Sequence, residues 1–495
     1  MSFISDLAAH GARQFPERVA LVWQSRDWTY AELNRRAERL AGALRRAGVQ
    51  RGDRVALLAD NHVAHVDLMR AAAKGGVIAV PLNPRLGARE AAQLLARAAP
   101  RHLLYGEEAA ALAAAFDGSR TALTDYEAWC ADAPPLQGEA AVAPEDLWML
   151  LGTGGSTGTP KLAALAYRQV DANGAATVAA WGLRPDDVTI QVAPAFHAAV
   201  HVLATPLWRI GGQVVWRRGF DAATWLADAE RHGLSLAFLV PSLYQQLIRH
   251  PGFASAALHR LRFAISGGAP CPPGVAAAFA ARGLPFRQGY GLTEAGVNVF
   301  AIRPEEARAR PDAVGRPMPG LQARLRREDG RDAAPGEPGE LLLRGPQLFS
   351  GYYAAPEATA AAMQDGWLAT GDLACVDGDG LYRICGRRKE MYISGGENVF
   401  PAQVEAELLN LPGVVEAAVV GIPDPRWGET GLAVVVTAPE ADWTADSLRL
   451  ALRERLAPHQ RPGAIRFVDA LPKTATGKVL KTALHPEGSS AEAAS

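Results

Sequence analysis

Two apolar runs, Arg-Val-Ala-Leu-Leu-Ala at 54–59 and Val-Ile-Ala-Val-Pro at 77–81, constrain this chain more tightly than any other feature. Neither alternates polar with apolar residues, so each strand would be covered on both faces, as in a parallel sheet with helices on either side. The flanking segments supply those helices. One helical pattern runs through 62–74 to the Gly75-Gly76 stop, and another spans 88–99 and ends before Pro100. Upstream, Thr29 and Glu32 form a capping box, in which each side chain satisfies an amide that the first helical turn leaves unpaired. The helix they open places Leu33, Ala37, Leu40 and Leu44 on one face and stops near Gly48. The fold class is therefore α/β.

A chain of 495 residues is too long for one core, so at least two domains are expected. The division falls late. Asp377-Gly-Asp-Gly380 sits between two short apolar runs and predicts a hairpin, and the charged segment 386–390 that follows reads as a pivot. Beyond it, helical patterns at 402–411 and 447–456 and strand-like runs at 417–420 and 433–436 make a second, smaller α/β unit. The tail from 486 has nothing to bury and reads as disordered.

The formal net charge of −1 argues against a nucleic-acid partner, and no apolar run is long enough to span a bilayer. The most apolar stretch, 198–208, is broken by His201, Thr205 and Pro206. The first residues lack the basic and apolar regions of a signal peptide. Cys130, Cys271, Cys375 and Cys385 lie far apart or at unhelpful spacings, so a reduced, cytoplasmic protein without disulfides or a zinc site is expected. His62 and His65 share a helix without a third ligand and read as solvated or half-packed.

The densest chemical signal is Leu-Gly-Thr-Gly-Gly-Ser-Thr-Gly-Thr-Pro-Lys at 151–161. Its glycines free backbone amides to point inward, its hydroxyls add donors and Lys161 adds a full charge, a composition suited to a polyphosphate. A Walker loop needs Gly-Lys-Ser/Thr entering a helix. Here Pro160 precedes the lysine and 162–167 reads as a strand, which predicts a phosphate loop between two strands.

Thr153, Gly154, Gly155, Ser156, Thr157, Gly158 and Lys161 resemble the phosphate loop of the adenylate-forming superfamily, which includes acyl- and aryl-CoA synthetases, peptide-synthetase adenylation domains and firefly luciferase. Gly154 stands where a serine is usual and Leu162 where a glycine is usual. Further motifs follow in the family's order: Ser266-Gly-Gly-Ala-Pro270, Gln288-Gly-Tyr-Gly-Leu-Thr-Glu294, Thr370-Gly-Asp372, Gly386-Arg-Arg-Lys-Glu390 and Leu471-Pro-Lys-Thr-Ala-Thr-Gly-Lys478. With the early helices they span nearly the whole chain.

The resemblance implies a large N-terminal domain of parallel and mixed sheets over 1–386, a hinge at 387–390 and a small mobile α+β domain over 391–485. ATP would lie against the phosphate loop, Gly268, Ala269, Gly289, Tyr290 and Gly291, with Asp372 on the ribose and Arg387 beside it. Thr293 would meet phosphate, Glu294 would help hold Mg²⁺, and Lys478 would be the catalytic lysine. The two-step reaction it implies joins a carboxylate to AMP, releases pyrophosphate, and then passes the acyl group to a thiol. Between the steps the small domain rotates about Lys389, withdrawing Lys478 and presenting Ser394, Gly395 and Gly396 to a pantetheine arm, with Trp427 and Arg461 at positions that contact CoA in some relatives. Ile393 stands where some relatives carry a second functional lysine.

Peptide-synthetase relatives pair an aspartate with the substrate's ammonium; His197 stands there instead, which disfavours an amino acid and implies a substrate-gating histidine. His201 would only pack. The acyl pocket, with Ala198, Ala199, Gly267, Gly268, Gly291, Gly296 and Val297, would have room for an apolar tail or ring, and Tyr244 would either close a wall or lie in the core. The expectation is an acid–CoA ligase acting on a fatty or other apolar, including aryl, acid, using ATP, Mg²⁺ and coenzyme A as a monomer or homodimer. Two alternatives stand beside it: loading of a carrier protein's phosphopantetheine, and a silent nucleotide- or acyl-CoA-binding protein on the same fold.

Overall fold

A computed structural model of the chain describes residues 7–136, 138, 140, 142–153, 161–473 and 479–485. The capping box forms as expected: Glu32 N donates to Thr29 Oγ1, Thr29 N donates to the Glu32 carboxylate, and the helix Tyr30–Arg46 buries Leu33, Ala37, Leu40 and Leu44. The strand Arg54–Leu58, the helix Val63–Gly75 and the strand Ile78–Leu82 follow, and the two strands pair in parallel. Gly76 closes the helix with a left-handed backbone, φ +68°, that glycine adopts without a Cβ penalty.

These strands lie in a six-stranded sheet with His102–Tyr105, Ser119–Ala122, Leu147–Thr153 and Lys161–Ala166. A seven-stranded sheet runs in the order Phe286–Gln288, Phe263–Ser266, Leu236–Leu239, Val188–Gln191, Gln213–Trp216, Val19–Trp23 and Arg26–Thr29, parallel except for the last pair. The largest core lies on helices and strands drawn from both sheets, with Trp148, Trp208 and Trp216 fully buried in it. A third sheet is built on the hairpin Trp367–Val376 and Tyr382–Arg387, whose turn is held by the Asp377 carboxylate accepting from Asp379 N and Leu381 N.

After the turn Arg388–Glu390 the chain enters a separate sheet of Tyr392–Ser394, Glu397–Val399, Val414–Asp424, Gly428–Thr437 and Ala464–Phe467, with its own apolar core around Val404, Leu408 and Val435. Its long strands extend well beyond the runs legible in the sequence, because 414–424 and 428–437 form one hairpin whose polar and glycine positions still pair. The small unit rests on the large one through Leu373, Cys375, Cys385 and Phe400, which form one apolar cluster with Met391 against it.

The hairpin corrects the cysteine reading. All four thiols are free and buried, but the strands carrying Cys375 and Cys385 bring their sulfurs to 2.9 Å. The hairpin sets Cys375 opposite Arg383, two residues from Cys385 on the same face, and so turns the ten-residue separation into a contact. Of the two histidines, His62 is half-packed as expected and caps the helix Val63–Gly75 by accepting from Ala64 N, whereas His65 is buried in the core.

Candidate active site

The sequence motifs gather at the carboxyl ends of the parallel strands, where open α/β sheets bind ligands. Gly267, Gly268 and Ala269 follow the strand Phe263–Ser266; Gly289, Tyr290 and Gly291 follow Phe286–Gln288; His197 and Ala198 follow Val188–Gln191. Thr153 ends one strand and Lys161 begins its antiparallel neighbour, opposite each other in register. The segment expected to hold phosphate is thus flanked by two paired antiparallel strands. Residues 154–160, and with them Gly154, Gly155, Ser156, Thr157 and Gly158, lie outside the described residues, as do Lys478 and the tail from 486.

One cluster is built around Asp372. This carboxylate is buried, accepts a 2.6 Å hydrogen bond from the Tyr290 hydroxyl and pairs with Arg387 Nε at 3.1 Å. Arg387 is its register partner across the hairpin. Thr370 Oγ1 accepts from Asp372 N and donates to Leu341 O, which fixes the turn of backbone that aims the carboxylate. Burial and the charge of Asp372 push the Tyr290 phenol well above its ordinary pKa, so it stays a donor. The ring of Tyr290 packs against Phe300 at 5.8 Å. Together these groups supply an aromatic face beside a carboxylate that can accept from two hydroxyls.

A second cluster surrounds Glu294, in the 3₁₀ turn Thr293–Ala295. The Tyr352 hydroxyl donates to Glu294 Oε1 at 2.8 Å, and Phe349 N donates to the Glu294 carbonyl at 2.9 Å. The Lys161 ammonium lies over the Tyr352 ring, 5.0 Å from its centroid. Tyr352 carries no family motif quoted above; only its place in Ser-Gly-Tyr-Tyr, next to a glycine, hints at a fixed turn. Among the described residues no three His, Cys, Asp or Glu side chains gather as a metal site. A single carboxylate that shares Tyr352 with the lysine expected to meet phosphate fits Mg²⁺, which keeps waters and takes one or two carboxylates together with substrate phosphates.

The glycines expected to line an acyl pocket divide. A Cβ on Gly267 would meet the Phe238 ring at 3.2 Å, tight enough that the ring would have to give. A Cβ on Gly291 would stand 2.0 Å from Val297 O, and one on Gly296 would meet Asn173 at 3.0 Å. The space at those two positions is already filled, so they permit close backbone approach rather than add pocket volume. Asn173 donates to Asn298 O, Asn298 donates to Thr177 and Val202 O, and Gln347 donates to Ala295 O. This buried amide network pins the turn that carries Glu294. Nothing in the spacing of these amides marks them in the sequence.

His197 Nδ1 accepts from Ala199 N, capping a short 3₁₀ turn that includes Ala198. His201 is buried, bonded to Thr205 Oγ1 at 2.7 Å and packed on Trp148, the packing role expected of it. Tyr244 is core: its ring meets Phe279 and Phe286 edge-on and its hydroxyl donates to backbone carbonyls.

On the small unit, Gly395 takes φ +60° at the tip of the hairpin formed by Tyr392–Ser394 and Glu397–Val399. A Cβ there would lie 2.5 Å from the Trp427 ring, and Gly395 N donates to Trp427 O. Trp427 is therefore a half-buried platform beside Gly395 and Gly396, not a core residue. Ser394 is buried and Ile393 is half exposed. The Arg461 guanidinium donates to Leu456 O at 3.0 Å and Arg453 O at 2.9 Å, just beyond the helix Ala445–Leu452. Lys389 lies in the turn Arg388–Glu390, and Lys481 ties that turn to the small unit by pairing with both Glu390 and Glu405 at 2.7 Å.

Comparison with known proteins gives a consistent result. The family model described as AMP-binding enzyme matches residues 8–353, and that of the AMP-binding enzyme C-terminal domain matches 403–478. A feruloyl-CoA synthase of Amycolatopsis sp is 40% identical over 473 residues, 95% of this chain and 96% of that protein. The fatty acid–[acyl-carrier-protein] ligase ScoC of Streptomyces coeruleorubidus is 34% identical, over 96% of this chain and 94% of that protein. The crystal structure of the anthranilate CoA ligase AuaEII in complex with anthranoyl-AMP superposes with a TM-score of 0.91 at 27% identity, covering 97% of this chain and 96% of that one. Among the described residues no helix is long and apolar enough to cross a membrane.

Proposed function

The chain belongs to the AMP-binding enzyme family, and from that premise we propose that it is an AMP-forming acid–CoA ligase that activates an apolar, preferentially aromatic, carboxylic acid. The observation that carries this reading is the pairing of two clusters on one short segment: Tyr290 with Asp372 and Arg387, and Glu294 with Tyr352 and Lys161. The first suits an adenosine and the second a polyphosphate.

In the first half-reaction the substrate carboxylate attacks the α-phosphorus of ATP, and the bond to the bridging oxygen breaks to release pyrophosphate. A negative nucleophile approaches a polyanion, so catalysis depends on positive charge placed where charge develops. Lys161 faces the departing phosphates, and Lys478 is assigned to the attacking and bridging oxygens. Mg²⁺, held by Glu294 together with the phosphates, would neutralise part of their charge. Asp372 accepts from the ribose hydroxyls, which keeps the α-phosphorus in place while the acid approaches. In the second half-reaction the CoA thiolate attacks the acyl carbonyl and AMP leaves. Rotation about Lys389 would bring Ser394, Gly395 and Gly396, braced by Trp427, to the channel for the pantetheine arm.

The aromatic preference rests on likeness to the feruloyl-CoA synthase and to the anthranilate ligase structure. Likeness to the carrier-protein ligase ScoC supports a second reading, in which the thiol belongs to a carrier protein. Thioester formation measured with a hydroxycinnamic acid, an aminobenzoic acid and a long-chain fatty acid, each against free CoA and a phosphopantetheinylated carrier protein, separates these readings. Acyl-CoA from an aromatic acid is expected. Transfer to the carrier protein alone would replace CoA as acceptor, and a product from the fatty acid alone would replace the aromatic substrate.

A further inference from the structure

Tyr352 lies within the matched family segment but outside the motifs quoted above, yet it touches both charged groups assigned to the polyphosphate. Its hydroxyl donates to Glu294 Oε1 and its ring face receives the Lys161 ammonium. The backbone that carries it is itself fixed. Ser350 N donates to Ala164 O, Ala164 N donates to Gly351 O, and Tyr353 N donates to Leu162 O, which with an antiparallel bridge between Tyr352 and Ala163 holds 350–353 against the strand that Lys161 begins. Tyr352 N donates to Thr359 Oγ1 at 2.8 Å. Gly351 takes φ +113°, and a Cβ there would lie 2.7 Å from Thr359. Phe349 packs edge-on against the Tyr352 ring at 5.0 Å while its amide holds the Glu294 carbonyl.

Opposite charges this close to a common site would be drawn into direct contact, and a lysine paired with Glu294 would be lost to a phosphate. Among the described ion pairs Lys161 and Glu294 are not joined; each instead meets Tyr352. A phenol serves both: it donates to the carboxylate while its π face attracts the ammonium without competing for its donors. Burial and the charge of Glu294 raise the phenol's pKa, which keeps the proton that the hydrogen bond requires.

We propose that Tyr352 is a positioning residue that holds Lys161 and Glu294 apart and pre-set for the β- and γ-phosphates, and so makes the site prefer Mg·ATP over AMP. This rests on the adenylation reading above. AMP has no group to reach the Lys161–Tyr352–Glu294 side, so its binding depends on the Tyr290–Asp372–Arg387 cluster alone.

The test is nucleotide binding by calorimetry on the full chain, wild type and Tyr352→Phe, with Mg·ATP and with AMP. Loss of one hydrogen bond to a charged group predicts an affinity for Mg·ATP about tenfold weaker, with AMP unchanged. Tyr352→Leu, which also removes the ring, should weaken Mg·ATP further and still spare AMP. In turnover, the KM for ATP should rise in Tyr352→Phe, while thioester formation from supplied acyl-adenylate keeps its rate. Wild-type affinity of Tyr352→Phe for Mg·ATP overturns the proposal, and so does an equal loss for AMP, which would mark a fold defect. A wild-type chain that binds neither nucleotide overturns the adenylation reading along with it.

Discussion

The Tyr290 hydroxyl donates a 2.6 Å hydrogen bond to Asp372, a residue 82 positions further along the chain and on a different sheet. Asp372 in turn holds Arg387 at 3.1 Å, on the strand that leads directly into the turn Arg388–Glu390. The face proposed for the nucleotide and the turn proposed as the domain pivot therefore share one carboxylate.

Replacing Asp372 with Ala removes the acceptor of the half-buried Tyr290 hydroxyl and the partner of the exposed Arg387, and with them the carboxylate proposed to accept from the ribose. A hydrogen bond to a charged group contributes about 1.5–3 kcal/mol, so affinity for AMP should fall by about tenfold to a hundredfold. Tyr290→Phe keeps the ring and removes only the donor, and should cost less than Asp372→Ala. Calorimetry with AMP checks the order, and an unaltered affinity in Asp372→Ala would remove this residue from the nucleotide site.

Two glycines predict opposite effects on stability. A methyl at Gly291 would stand 2.0 Å from Val297 O, so Gly291→Ala should destabilise the large domain by about 3 kcal/mol or more through forced backbone movement. Gly174 lies inside the helix Tyr167–Trp181, where a Cβ would meet nothing within 4 Å, and Gly174→Ala should stabilise by about 0.5–1 kcal/mol. Thermal unfolding of the two variants against wild type distinguishes them; a stable Gly291→Ala would show that the turn has room to move.

Much of this architecture was legible because local chemistry decides it. Thr29 and Glu32 fix a helix start, Gly76 fixes a stop, Asp377-Gly-Asp-Gly380 fixes a hairpin, and Pro160 places the phosphate loop between strands by excluding the helical alternative. What was not legible depends on contacts between distant segments. Gly291 and Gly296 looked like open space, but only packing against Val297 and Asn173 shows that the space is taken. The Cys375–Cys385 contact depends on the register of the hairpin strands, and Tyr352 acquires its partners from a residue 58 positions before it and from a strand that begins at Lys161. Arg461, read as a CoA contact, is engaged by two carbonyls that only the folded helix end presents.

Acid should weaken the fold before most carboxylates titrate. Burial holds His65, His102 and His201 neutral, with pKa values lowered to about 3, about 4 and about 4. An unfolded chain binds those protons near pH 6.5, so between the two values the unfolded state carries more protons and stability rises with pH. The contribution is complete above about pH 6.5 and is lost as pH falls toward 4. Denaturant midpoints measured from pH 7.5 to 5 should decline, and His201→Gln should flatten the decline. A midpoint that stays level over that range would contradict burial of these rings as neutral bases.

Lys478→Ala should abolish adenylate formation and spare thioester formation from supplied acyl-adenylate, because the two half-reactions would use opposite orientations of the small domain. Equal loss of both would contradict rotation about Lys389. In the same loop region as Lys161, Gly154→Ser restores a hydroxyl and should tighten ATP binding; unchanged affinity would show that Thr153, Ser156 and Thr157 suffice.

On the adenylation reading, this chain joins a carboxylate to AMP before any thiol is involved. Exchange of labelled pyrophosphate into ATP, measured with Mg²⁺ and without CoA across a panel of aromatic and fatty acids, tests it most directly. Label should enter ATP only when an acid is present, and fastest with an aromatic acid. Exchange with no acid of the panel, or exchange that proceeds equally without one, would contradict it.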